Sequence, residues 1–336
     1  MRILVLGASG FIGVHVVDAL RALGVEPLCA QRSPAPRIAL RSREATVVRI
    51  DLDVPTLAEH LAGFDVVVHA AGHYPAHSLD RAGTLARGLR QTRALLDAVA
   101  TAGVARLVYV SSTATVARSS DGAPSDESHV FAEPPGFGVY HDLKWEMEAV
   151  VARERRFETV IACPSACLGA EDRRIGTCAL LLAMARGADP LHPDGLVSLV
   201  DVRDVGAAIA RLATMPEPPR RVLLSGHDID LHALLCALAL RYGAPPPSAP
   251  LPAKAALAWA DAAETYAEAT GTRAPLPREL VDLVLHGGPL DTRLAVTRLG
   301  ARWTPLADTL DTFDRWARRQ RLLPPPRSPH ESQPDL

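Results

Sequence analysis

Short apolar runs recur along the first half of the chain at 2–6, 26–30, 46–50, 65–70, 106–111 and 159–163. Near-continuous apolar runs of this length read as strands buried on both faces, as in a parallel sheet. Between them the apolar positions fall at helical spacing, as in 14–23, 84–102 and 142–155. This alternation predicts an α/β fold: a doubly wound parallel sheet of the Rossmann type with helices on both faces. After Pro164 the pattern loosens into a short run at 196–200, a helix at 205–213, a possible return to the sheet at 222–225 and a helix at 231–242. A Pro-rich break at 245–252 precedes an Ala- and Leu-rich helical stretch, 253–286, split near Pro275–Pro277, and a last helix at about 306–320. We therefore expect a dinucleotide-binding core over 1–165 and a mixed region over 166–322. The mixed region returns partly to the core and forms a smaller, mostly helical substrate lobe. The Pro-rich, polar stretch 323–336 is expected to be a disordered tail.

Composition narrows the class. The chain has 336 residues, 48% hydrophobic and 22% charged, as expected of a globular protein with a sizeable core. A formal net charge of -2 implies no large basic surface for nucleic acid. No apolar run reaches membrane-spanning length. The N-terminal run turns at Gly7 and leads into a helix, so it reads as a strand rather than a signal peptide. Five cysteines, at 29, 163, 167, 178 and 236, form no disulfide framework. Cys163 and Cys167 flank Pro164 with no partner pair at finger spacing, so they read as buried thiols and no metal is expected. The cytoplasm is the default compartment.

The most informative stretch is Val5-Leu6-Gly7-Ala8-Ser9-Gly10-Phe11-Ile12-Gly13. An apolar run, three glycines at every third position and an amphipathic segment spell strand, tight turn and helix. That order sets a dinucleotide pyrophosphate on a helix N-terminus. The glycines make the turn, admit phosphate to the backbone and let helix pack on strand. The second strand ends in Gln31-Arg32-Ser33, with no Asp or Glu between Glu26 and Glu44. An acid at this tip favours the free ribose of NAD, and an arginine accommodates the 2′-phosphate of NADP. Arg32, helped by Ser33 and Arg37, thus points to NADP (NADPH), with NAD as second choice. Asp51-Leu52 follows the third strand, at the adenine or as a helix cap. Ala70-Ala71-Gly72 follows His69, where small residues let backbone approach the cofactor.

Tyr140 and Lys144 stand at i and i+4, on one helix face. A lysine cation beside a phenol stabilises the phenolate, so the tyrosine can exchange a proton with a carbonyl or alcohol oxygen. Ser111-Ser112-Thr113 runs off the fifth strand and supplies a hydroxyl for the same oxygen. His73, His77, His129 and His141 lie near the expected cleft and are read as surface or loop positions, and Trp145 as core.

Together, the Gly-x-x-Gly-x-x-Gly turn, the Ser-Ser-Thr strand end and Tyr140-x-x-x-Lys144 resemble the extended short-chain dehydrogenase/reductase family, the NAD-dependent epimerase/dehydratase superfamily. Within it the chain looks most like the dihydroflavonol-reductase-like branch. Val200-Asp201-Val202-Arg203-Asp204-Val205 and the segment from Asp291 to Gly300 are similar to two further family segments. The resemblance implies Gly7, Ser9, Gly10, Phe11, Ile12 and Gly13 at the pyrophosphate, Arg32 and Ser33 at the 2′-phosphate, and Asp51 and Leu52 at the adenine. It also implies Tyr140 as acid/base, Lys144 as its partner on the nicotinamide ribose, and Pro164 and Gly169 in a loop at the nicotinamide. The sugar-modifying branch aligns the catalytic hydroxyl with Thr113 and the flavonoid branch with Ser112; Thr113 is narrowly preferred. Four positions depart from the family pattern: Leu143 before the lysine, Cys163 before Pro164, and Ala117 and Arg118 after the hydroxyls.

The expected activity is NADP-dependent interconversion of a ketone and a secondary alcohol on a small-molecule carbonyl or alcohol substrate. Two alternatives stay open: an NAD-dependent nucleotide-sugar epimerase or dehydratase, and a non-catalytic NADP-binding sensor or scaffold. The resemblance also implies a homodimer, with 84–102 and 142–155 forming the contact.

Overall fold

Strand β1 (Ile3–Leu6) is buried at every position, and its side chains alternate between two cores. Ile3 and Val5 join Val14, Val17 and Leu20, whereas Leu4 and Leu6 join Leu95, Leu107 and Leu143. A strand covered on both faces has no polar side, which is why the sequence reads as unbroken apolar runs. The computed structural model describes residues 1–33, 37–72, 80–272, 274 and 277–323.

The chain runs α1 (Phe11–Ala22), β2 (Leu28–Gln31), α2 (Ile38–Arg41), β3 (Val47–Arg49), α3 (Leu57–Leu61), β4 (Val66–His69), α4 (Arg81–Thr101) and β5 (Arg106–Val110). A 3₁₀ turn, Thr113–Thr115, leads on to α5 (Val139–Ala152), β6 (Glu158–Pro164), β7 (Ala166–Leu168), α6 (Ala179–Ala185), β8 (Leu196–Asp201), α7 (Val202–Thr214) and β9 (Arg221–Leu224). The remainder is β10 (His227–Asp230), α8 (Leu231–Tyr242), α9 (Ala253–Thr270), α10 (Arg278–His286), α11 (Arg293–Leu299) and α12 (Leu306–Arg319).

Seven parallel strands form one sheet in the order β3-β2-β1-β4-β5-β6-β9. Helices α1 and α7 cover one face and α4 and α5 the other. The C-terminal region is mostly helical, with a small sheet β10-β8-β7. The doubly wound expectation and its main elements therefore hold. Helix α5 begins three residues before the expected start, because its N-cap is Gly138, which offers no side-chain cap as a signal. Asp51 caps no helix: the N-cap of α3 is Thr56, and the Asp51 carboxylate accepts from Asp53 N at 3.2 Å. The tail assignment falls almost wholly on 324–336, outside the described residues.

Because β1 turns towards β2 and β3 while β4 leads towards β5, β6 and β9, the sheet reverses its winding between β1 and β4. In open parallel sheets, ligands bind beyond the strand C-termini at such a reversal.

Candidate active site

The ends of β1, β4 and β5 meet at that reversal. Gly7 has φ +80°, and a Cβ there would come within 2.7 Å of Ala70 O and 2.9 Å of Ala71 Cα. A side chain at Gly13 would overlap Gly7 O. The glycine turn is thus closed against the β4 end, its form held by Gly10 N donating to Gly7 O at 2.8 Å. Gly10 is the α1 N-cap and offers no side-chain cap, so the cradle suits an anion at the helix N-terminus. Ser9, Phe11 and Ile12 are half-buried around it.

At the β2 tip, buried Gln31 ties the loop: its Nε2 donates to Ser33 O at 2.9 Å and its Oε1 accepts from Arg37 N at 3.2 Å. Arg32 is exposed. Asp51 and Leu52 follow β3 at the sheet edge, where Leu52 packs on the core.

Ser112, Tyr140 and Lys144 converge. Ser112 caps the 3₁₀ turn, its Oγ accepting from Ala114 N at 3.2 Å, and its hydroxyl is the side-chain hydrogen-bonding partner of Tyr140. Lys144 Nζ lies 5.9 Å from the Tyr140 ring centroid, and a Cβ at Gly72 would sit 3.7 Å from that nitrogen. The expected cofactor stretch 70–72 and the lysine are therefore side by side. Burial pulls the Lys144 ammonium down to about 8. Burial also pushes the Tyr140 phenol above its usual range, and the Ser112 hydrogen bond opposes that rise. Desolvation is the largest influence on the phenol. The hydroxyl brought to Tyr140 is that of Ser112, while Thr113 opens the 3₁₀ turn beside it.

The NAD dependent epimerase/dehydratase family profile matches residues 3–224. The chain belongs to that family. A Synechocystis sp. protein provisionally named dihydroflavonol 4-reductase is 27% identical over 319 residues, 93% of each chain. A Stigmatella aurantiaca protein named as a 4-hydroxy-2-methyl-3-oxo-4-farnesyl-3,4-dihydroquinoline-1-oxide ketoreductase is 34% identical over 178 residues, 51% of this chain and 52% of its own. Among solved structures, a nucleoside-diphosphate-sugar epimerase from Pseudomonas aeruginosa superposes with a TM-score of 0.77 at 25% identity, covering 96% of this chain and 99% of that one. As an epimerase/dehydratase family member, the chain is an NAD(P)-dependent enzyme of the oxidoreductase, epimerase and dehydratase type.

Several features of this family member are not apparent from the motifs. Helix α10 packs against the start of α5 and the loop before it. Asp282, fully buried, abuts Gly138 at the start of α5. His286 stacks on Phe137 with centroids 3.6 Å apart, and His141 meets Phe137 edge-on at 5.8 Å. His141 is thus buried, not a surface residue, and is held neutral by burial, its imidazolium pulled down to about 4. Arg118, one of the departures, donates from Nε to His286 O and from Nη2 to Leu285 O, both at 3.0 Å, capping α10. Leu143 fills the space beside Gly88. Cys163 is wholly buried, 3.7 Å from Glu148 Oε2. Trp145 is only half-buried and donates from Nε1 to Phe131 O at 2.8 Å. Pro164 closes β6 opposite Leu224. His129 pairs with Asp126 at 2.8 Å, and His73 and His77 lie outside the described residues. Among the described residues no helix is long and apolar enough to cross a membrane.

Proposed function

We propose that the chain is an NADP-dependent oxidoreductase interconverting an apolar ketone and its secondary alcohol. The observation that carries this reading is the buried row of Ser112 hydroxyl, Tyr140 phenol and Lys144 ammonium. The glycine cradle and the close approach of Gly72 to Lys144 fit a dinucleotide: Gly7, Ser9, Gly10, Phe11, Ile12 and Gly13 would hold its pyrophosphate, Asp51, Leu52, Ala70, Ala71 and Gly72 its adenosine half, and Tyr140, Lys144 and Pro164 its nicotinamide end. The bound dihydronicotinamide supplies the hydride. Tyr140 gives its proton to the substrate oxygen as charge develops there. Ser112 donates a hydrogen bond to the same oxygen, and Lys144 stabilises the phenolate left behind.

Arg32 at a β2 tip without a carboxylate supports NADP over NAD. The Phe137–His286 wall and the reductase names of the relatives favour an apolar ketone. A nucleotide-sugar epimerase using NAD is the second reading, favoured by the likeness to the Pseudomonas epimerase.

Titrating nucleotide-free protein with NADPH and with NADH tests the assignment. NADPH is expected to bind tighter, and Arg32→Ala to weaken NADPH by roughly tenfold or more while sparing NADH. An NADH preference overturns the NADP assignment and turns attention to nucleotide sugars. Intact NADPH binding with no turnover across a panel of apolar ketones overturns the enzymatic reading in favour of a sensor or scaffold.

A further inference from the structure

Tyr140, Lys144 and Glu148 follow one another at intervals of four along α5 and share a stripe facing the sheet. Glu148 has no counterpart in the catalytic row, yet it is more tightly held than any member of it. Only 5% of the residue is exposed. Its Oε2 accepts from Ser111 Oγ and lies 2.8 Å from Thr115 Oγ1. Its Oε1 accepts from Arg221 Nε at 2.8 Å. Arg221 in turn donates to Glu127 O and to Thr115 Oγ1, both at 2.9 Å. Thr115 also shares its hydroxyl proton with Ser112 O at 2.9 Å. The two residues flanking the Ser112 cap, Ser111 and Thr115, are thus moored to one carboxylate.

We propose that Glu148 is the positioning carboxylate of this site: moored to the Ser111–Thr115 turn and paired with Arg221, it supplies the counter-charge that keeps Lys144 an ammonium. The role rests on the oxidoreductase reading for its catalytic meaning, but its physical content does not. Lys144 is faced by His69 from β4, by Cys163 from β6, and by Tyr140 and Glu148 from its own helix. Glu148 is faced by Arg221 from β9, Cys163 from β6, and Ser111 and Tyr109 from β5 and its end. Burial keeps His69 neutral and pushes the Cys163 thiol up, so neither offers negative charge at neutral pH. Glu148, one helical turn from Lys144 and ion-paired with Arg221, is the carboxylate on this stripe, and its attraction opposes the desolvation that drives Lys144 downward.

The composition makes this directly measurable. Of the chain's 36 Lys and Arg residues two are lysines, Lys144 and Lys254, and Lys254 is exposed on α9. In a Lys254→Arg background, protein labelled with ¹³C at the lysine ε-carbon gives a single lysine signal, whose titration reports Lys144 without substrate or cofactor. The parent is expected to titrate near 8. Glu148→Gln keeps the acceptor but removes the charge, and is expected to lower the midpoint by about one pH unit, a tenfold change in the ratio of ammonium to amine. An unmoved midpoint overturns the proposal and leaves Glu148 a brace for the turn. If Glu148→Gln does not fold because Arg221 is stranded, the paired change Glu148→Gln with Arg221→Gln is read instead. Removing the Arg221 cation as well offsets part of the lost attraction, so the midpoint still falls, by less; an unmoved or raised midpoint overturns the proposal there too. Failure of the ketone panel would sink the oxidoreductase reading while leaving this titration unaffected.

Discussion

Phe137 and His286 stack nearly parallel, 7° apart, and so join the loop before α5 to the last turn of α10. The contact sets how closely the helical region approaches Tyr140, because Asp282, one turn earlier on α10, rests against Gly138. Phe137→Ala is expected to destabilise the protein by about 1–2 kcal/mol, the worth of a half-buried aromatic contact. Its larger effect is on the pocket wall: KM for an apolar ketone should rise more than kcat falls. Denaturant melts and steady-state kinetics check this; an unchanged KM would remove α10 from the substrate wall.

Gly13→Ala places a methyl group on Gly7 O. The backbone cannot yield without opening the cradle. We expect about 1–3 kcal/mol of lost stability, as for other overpacked sites, and at least tenfold weaker dinucleotide binding by titration calorimetry. Full affinity in this variant would mean that the turn is not where the pyrophosphate sits.

His69 stacks on Tyr109 at 5.5 Å, and burial pulls its imidazolium down to about 3. The unfolded chain binds a proton near 6.5 and the folded chain does not. Stability tied to this group is therefore present above 6.5 and lost as pH falls below it, by about 2 kcal/mol at pH 5. His69→Leu, which cannot titrate, should flatten that acid limb. Equal slopes in parent and variant between pH 6.5 and 5 would refute the assignment.

Lys144 carries the opposite lesson. Its ammonium is favoured less in the folded chain than in the unfolded one, about 8 against 10.5. Folding is thus opposed by this group below pH 8, and the opposition fades as pH rises to 10.5. Lys144→Met should abolish turnover yet raise stability at pH 7 by about 2–3 kcal/mol, with the gain vanishing towards pH 10.5. A destabilised variant would show that Lys144 is structurally required.

What the sequence discloses here depends on how local the cause is. The β1–turn–α1 unit is legible because its glycines answer to neighbours a few residues away. The seven-stranded sheet is legible because burial on both faces leaves unbroken apolar runs. The choice between Ser112 and Thr113 is not, since two adjacent hydroxyls differ only in which one the 3₁₀ turn aims at Tyr140. Arg118 stands out as a departure, but its partners are bare carbonyls 167 and 168 residues away, which have no signature in side-chain chemistry. The Glu148–Arg221 pair is hidden for the same reason, its halves 73 residues apart.

That separation bears on how the protein can be cut and recombined. The expected cofactor half ends at 165, but β9, which seals the sheet and brings Arg221 to Glu148, comes later in the chain. A fragment ending at 165 would enclose the Glu148 carboxylate without Arg221, its ion-pair partner. Chimaeras between family members should therefore inherit positions 148 and 221 from the same parent, and a crossover between them is the one to avoid.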